Sequence, residues 1–187
     1  MNGMLSLWLP ILVTAVLIFI ASSLIHMVFK WHNSDYKKLA NEDEVRAAIR
    51  AASPVPGQYV VPHCMDMKDM QGEAMMKKFT EGPIAFITVR KNGPPAMGST
   101  LALWFAFTVV IAAVAGYVAC LVYGLKANPH HAGHLVGILS FLAYAAGSVP
   151  LGIWMGKPWG SVAKDIVDGF IYGVISALTF MWLWPSP

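Results

Sequence analysis

The sequence predicts an all-α integral membrane protein: four transmembrane helices with a small cytoplasmic α+β insertion between helices 1 and 2. Two observations carry that expectation. Of the 187 residues, 57% are hydrophobic and only 12% charged, against roughly 25% charged in a soluble domain. The charges are also unevenly placed, with none from Met1 to Phe29, from Asn92 to Leu125, from Ala127 to Gly156 or after Asp168. Each of these stretches is long enough for the roughly 20 apolar residues that cross a bilayer as a helix. Such a composition excludes a disordered chain, a nucleic-acid binder and an ordinary soluble enzyme.

The spans are expected at about 5–29, 100–125, 135–155 and 165–184, dividing the chain into 1–29, 30–98 and 99–187. The first begins Met1-Asn2-Gly3-Met4, without Lys or Arg, and its apolar run is longer than a signal-peptide core. Lys30, Lys37 and Lys38 follow it. That order suits a retained anchor with its N-terminus outside. Ten of the 13 Lys and Arg residues lie in 30–98, two in the third connection and one in the second. The positive-inside rule therefore assigns 30–98 to the cytoplasm of a bacterial-type inner membrane, with both termini outside. Trp8, Trp182 and Trp184 then fall at the outer surface, and Trp31, Trp104, Trp154 and Trp159 near the inner one, where indoles favour the headgroup level.

Within 30–98, Asn41–Arg50 reads as a helix capped by Asn41, with acids in its first turn and a Glu42–Arg46 pair. Gly57–Pro62 and Ile84–Arg90 read as strands. Residues 69–80 between them read as a helix stopped by Gly82-Pro83. The stretches Lys30–Tyr36 and Glu81–Phe86 resemble segments of bacterial membrane proteins, which implies a location and no activity.

Small residues recur every fourth position on two spans: Ala112, Gly116, Cys120 and Gly124, then Gly169, Gly173 and Ala177. Such faces let helix backbones approach closely in lipid, either within this chain or against self or another membrane subunit. His63, Cys64, Met65, Met67 and Met70 place five potential soft-metal ligands in eight residues, the donors copper would favour. The spacing matches no recognised zinc site, and methionine also fills small irregular cores. Met67, Met70 and Ala74 would share a helix face against the strands. His130, His131 and His134 form a second cluster in the connection before the third span. His26 and His134 lie at opposite sides, so one chain does not offer two axial ligands to a haem.

Asp165 and Asp168 enter the fourth span, where the helix dipole favours them and Lys164 can pair with Asp168. The sharper alternative is a buried contact with His26 at similar depth. Phosphate-loop, zinc-protease and nucleophile-elbow motifs are absent, and Cys64 and Cys120 fall in different environments. The expected function is a non-enzymatic accessory or assembly subunit of a larger membrane complex, embedded in the lipid bilayer and holding no cofactor. Copper handling is the alternative.

Overall fold

The protein is described by a computed structural model covering residues 5–185; the Met1–Met4 start lies outside the described residues. It is mostly helical, with four helices long and apolar enough to cross a membrane: Trp8–Phe29, Met97–Tyr123, Pro129–Met155 and Trp159–Leu183. Two compact units are formed. One holds these helices and the chain through Lys37; the other is Lys38–Pro95.

In the helical unit, α1 (Trp8–Ser23) widens into a π-helical turn at Leu24–Phe29 and then tightens into a 3-10 turn at Trp31–Asp35. The widening has a local cause. Ser22 and Ser23 both donate their hydroxyls to the Phe19 carbonyl, at 3.0 and 2.8 Å, and such back-bonding competes with the helix ladder. Lys30 stops the helix in the left-handed region at φ 54°, an uncommon conformation for a side-chain-bearing residue.

The smaller unit contains α2 (Glu42–Ala51), β1 (Gly57–Val61), α3 (Met67–Met70), α4 (Glu73–Glu81) and β2 (Ala85–Val89). The strands pair antiparallel, with Gly57 opposite Val89 and Val61 opposite Ala85. Three local expectations need correction. Asn41 makes no side-chain cap; its amide instead donates to Glu44 at 3.2 Å. Arg46 pairs with Asp43 at 3.1 Å, one residue from the expected Glu42. The single helix over 69–80 is two helices, because Asp66 caps α3 by accepting from the Lys68 N–H at 2.8 Å and Gly72 restarts the chain in extended geometry. Met67 and Met70 therefore lie on a different helix from Ala74, and of the three only Met70 is half-buried.

The remaining helices are α5 (Met97–Tyr123), α6 (Pro129–Ala145), α7 (Ser148–Met155) and α8 (Trp159–Leu183). The helices expected from positions 135 and 165 start well before them, at Pro129 and Trp159. Asn128 caps α6 by accepting from the His130 N–H at 2.9 Å, with Pro129 in the first turn, a favoured combination at a helix start. The third long helix is interrupted at Ala146–Gly147, between α6 and α7, where Pro150 cannot donate to the ladder. Because α8 begins at Trp159, Asp165 and Asp168 sit in its second and third turns, beyond the capping positions expected for them.

Close approach of α6 and α8 organises the bundle. A Cβ on Gly173 would lie 2.9 Å from the Gly137 carbonyl oxygen, one on Gly137 2.7 Å from the Ala177 Cβ, and one on Gly169 2.7 Å from the Ala145 Cβ. Gly116 admits the Phe180 ring edge, while Ala112 is buried and Cys120 packs at the margin of the same cluster. Both small-residue faces thus pack inside this chain. Gly124 does not belong to that packing; it ends α5 at φ 73°.

Two apolar clusters result. Leu7, Ile11, Ala115, Ala119, Val136, Phe180 and Trp184 fill one end; Ile18, Ile25 and Tyr172, with Trp104 and Tyr144 at the margin, lie toward the other.

Candidate functional site

The end of the bundle beyond Tyr172 gathers ionisable groups. His26 comes from the π-helical turn, His32 and Asp35 from the 3-10 turn, and Lys164, Asp165 and Asp168 from α8. The left-handed Lys30 reverses the chain so that the His26 and His32 rings stack at 4.7 Å, 7° from parallel. Both rings face one carboxylate oxygen: Asp168 Oδ2 lies 3.0 Å from His32 Nε2 and 3.9 Å from His26 Nε2.

The opposite ring nitrogens are held separately. His26 Nδ1 is 3.0 Å from the Ser22 carbonyl oxygen, and His32 Nδ1 is 2.7 Å from Asp35 Oδ2. Asp35 Oδ1 in turn accepts from Lys164 Nζ at 2.6 Å, and that ammonium also donates to the Trp31 carbonyl and the Ser34 hydroxyl. The Lys164 hydrogen bond outweighs desolvation and holds the Asp35 carboxyl at about 2, below its ordinary 3.8. Lys157 pairs with Asp165 beside this network.

Support comes from α5. The Trp104 indole donates to the Ser22 hydroxyl at 2.8 Å, fixing the residue whose carbonyl orients His26. Trp104, expected as a headgroup-level aromatic, is thus a half-buried hydrogen-bond donor. Trp184 has the equivalent position at the far end, buried and donating to the Leu125 carbonyl at 3.1 Å.

Two cavities open on the cluster. One of about 460 Å³ is lined by His26, His32, Asp35, Lys157, Ser161 and Asp165. Another of about 280 Å³ is reached by His26, Asp168, Trp104, Tyr144 and Tyr172. Asp168 is 5% exposed, and its Oδ1 has no hydrogen-bond partner among the described residues; the Tyr144 and Tyr172 hydroxyls share that condition. Buried polar atoms are normally paired; the buried Thr14 and Ser140 hydroxyls elsewhere in the bundle are also without a partner among the described residues.

The sequence brought His26 and Asp168 together as one alternative, and the structure sets them 3.9 Å apart. It did not single out His32 or Asp35. Lys164 reaches Asp35 rather than the Asp168 expected for it. The available signal was the His32–Asp35 spacing just beyond the first span, where the chain has to turn back across the neighbouring helix end.

The other predicted residues lie elsewhere. His63 is exposed, Cys64 half-buried with its thiol 3.4 Å from the Asp66 carbonyl oxygen, and Met65 and Met67 exposed. His130, His131 and His134 are on the first turns of α6, all exposed, with His131 6.0 Å from the Tyr123 ring. Both cysteines are free. Among the described residues, the His, Cys, Asp and Glu side chains that converge closely enough to hold a metal are His26, His32 and Asp168.

No family model matches the sequence, and neither a curated protein nor a solved structure does.

Proposed function

We propose that the chain is a multi-pass inner-membrane protein acting as a non-enzymatic accessory or assembly subunit of a larger membrane complex, with residues 30–98 cytoplasmic and both termini outside. The observation that carries this reading is the one-sidedness of its polar interior. Ionisable side chains gather at the His26 end, whereas the other end is filled by Leu7, Ile11, Val136 and Phe180. Between them, Thr108, Ser176 and Thr179 spend their hydroxyls on carbonyls of their own helices. A solute pathway needs polar groups throughout its depth. Among the described residues the buried ionisable side chain is Asp168 at the His26 end, while the Thr14 and Ser140 hydroxyls are the buried unpartnered polar groups farther along the bundle.

A contact surface is available on α5. Leu103, Phe107, Val110, Val114, Tyr117 and Leu121 are all exposed and follow one another at alternating spacings of four and three, the spacing of a helix-pairing stripe. Within lipid, such a stripe gains from packing against a shaped helix partner. The concentration of Lys and Arg in 30–98 supports the orientation.

Mild-detergent extraction from native membranes tests the role. The chain should migrate in an assembly well above its own 20.3 kDa with a defined membrane partner, and Val110→Trp with Val114→Trp should release it as a folded monomer. A lone chain that moves a solute across liposomes overturns the reading. Reporter fusions after Lys91 and at the C-terminus should report opposite sides; a shared side defeats the orientation.

A further inference from the structure

We propose that His26 Nε2, His32 Nε2 and Asp168 Oδ2 form a binding site for one divalent first-row transition ion of the zinc or iron class. The inference goes beyond the subunit reading and stands on separate observations. One ligand atom from each of these three residues lies within 4.8 Å of the other two. An ion about 2.1 Å from each nitrogen or oxygen ligand places ligand pairs roughly 3–4 Å apart, as found here for Asp168 and the two rings.

Proton placement strengthens the case. The Ser22 carbonyl can only accept, so His26 Nδ1 carries a hydrogen. Asp35, held as a carboxylate by Lys164, also only accepts, so His32 Nδ1 carries one too. In a neutral imidazole the second nitrogen is then a lone pair. The two Nε2 atoms and the Asp168 oxygen lie together, and one ion takes both lone pairs once the parallel rings turn toward it. Either a proton on His32 Nε2 donated to Asp168 or a metal ion held among the three residues satisfies these atoms. A donated Nδ1–H to a carbonyl or carboxylate is the usual outer support of a metal-bound histidine, and here both rings have it.

Asp35 and Asp165 are paired with the Lys164 and Lys157 ammonium groups, which leaves Asp168 to the two rings or to a cation between them. The buried, unpartnered Asp168 Oδ1 offers a second oxygen to the same ion. The cavities beside His26 leave room for water in the remaining coordination positions. Two imidazoles and a carboxylate suit zinc or iron(II) better than the soft thiolate and thioether set that favours Cu(I). The bound ion would tie the reversed turn after α1 to α8.

Cobalt(II) titration of the purified full chain, stripped with chelator in detergent, provides the test. Wild type should take up one equivalent with the visible d–d bands of nitrogen and oxygen ligation, and zinc should displace it. His32→Gln and Asp168→Asn should abolish the bands. Asp35→Asn, which removes only the outer support, should weaken uptake about 10–100-fold. Cys64→Ser combined with Met67→Leu should leave it unchanged. If the two ligand variants fail to fold, His26→Ala decides, because that side chain is already 51% exposed and its loss should weaken binding at least tenfold. Wild type without cobalt bands, or uptake indifferent to His26→Ala and Asp35→Asn, overturns the site in favour of a shared proton. Either result leaves the subunit assembly measurement unaffected.

Discussion

The two ends of the helical unit are built from opposite materials. At one, Leu7, Ala119, Ala132, Val136 and Phe180 are fully buried, and the indole of Trp184 spends its N–H on a carbonyl. At the other, two imidazoles, three carboxylates and two ammonium groups are packed around helix ends. The first end depends on volume and the second on charge. Each should therefore fail under a different perturbation, and confusion between the two would show that the contrast is false.

The largest effect is expected from volume. A Cβ on Gly133 would already lie 2.3 Å from the Met181 Cγ and 2.7 Å from the Ala177 carbonyl oxygen, so Gly133→Leu has to push α6 off α8. Overpacking of this kind costs about 3 kcal/mol or more. Val174→Leu, at a position 40% exposed, should be nearly neutral. Thermal unfolding in detergent compares them, and equal midpoints would remove the seam from the account. Both should be indifferent to salt and to pH between neutral and mildly acidic values.

Charge comes next. Lys164→Met preserves much of the side-chain stem but removes three hydrogen bonds, to Asp35, Ser34 and the Trp31 carbonyl. Bonds to charged groups are worth roughly 1.5–3 kcal/mol when partly buried; with a side chain 27% exposed, the lower value of about 1.5 is expected for the set. Amide exchange should rise across Trp31–Asp35 while the Leu7 end stays protected. Uniform loosening of both ends would count against separate construction. Trp184→Phe should act in reverse. It forfeits one hydrogen bond to Leu125, about 1 kcal/mol, and should leave exchange at Trp31–Asp35 unaltered.

This contrast also explains what the sequence revealed. The dry end is legible because it is written in composition: long uncharged runs, and glycine and alanine at every fourth position on helices that meet. Even the start of α6 was signalled by Asn128-Pro129, although those residues read more simply as a connection. The polar end is less legible because its contacts are not periodic. His32 reaches Asp168 across 136 positions, through a turn that depends on two serines sharing one carbonyl and on a left-handed Lys30. A histidine just outside an apolar run looks solvated until the chain is seen to reverse. Conversely, the Cys64 and methionine segment is conspicuous in sequence because its donors are adjacent, yet Met65 and Met67 are exposed.

The smallest effect is the acid dependence of the polar end, and its sign follows from Asp35. Lys164 lowers the Asp35 carboxyl from 3.8 to about 2, so the folded state binds that proton less readily than the unfolded chain does. A depressed folded value contributes stability that is fully present above 3.8 and is lost as pH falls through about 2. Other carboxylates titrate nearby, so the informative quantity is the difference between wild type and Asp35→Asn. Unfolding midpoints should converge as pH is lowered through that window, with wild type the more stable above it. Lys164→Met removes the first cause of the depression, so much of the difference should vanish in that background. A gap between wild type and Asp35→Asn that stays constant from neutral pH down to 2 would mean that Asp35 contributes through its shape alone, and the charge-built end would need another foundation.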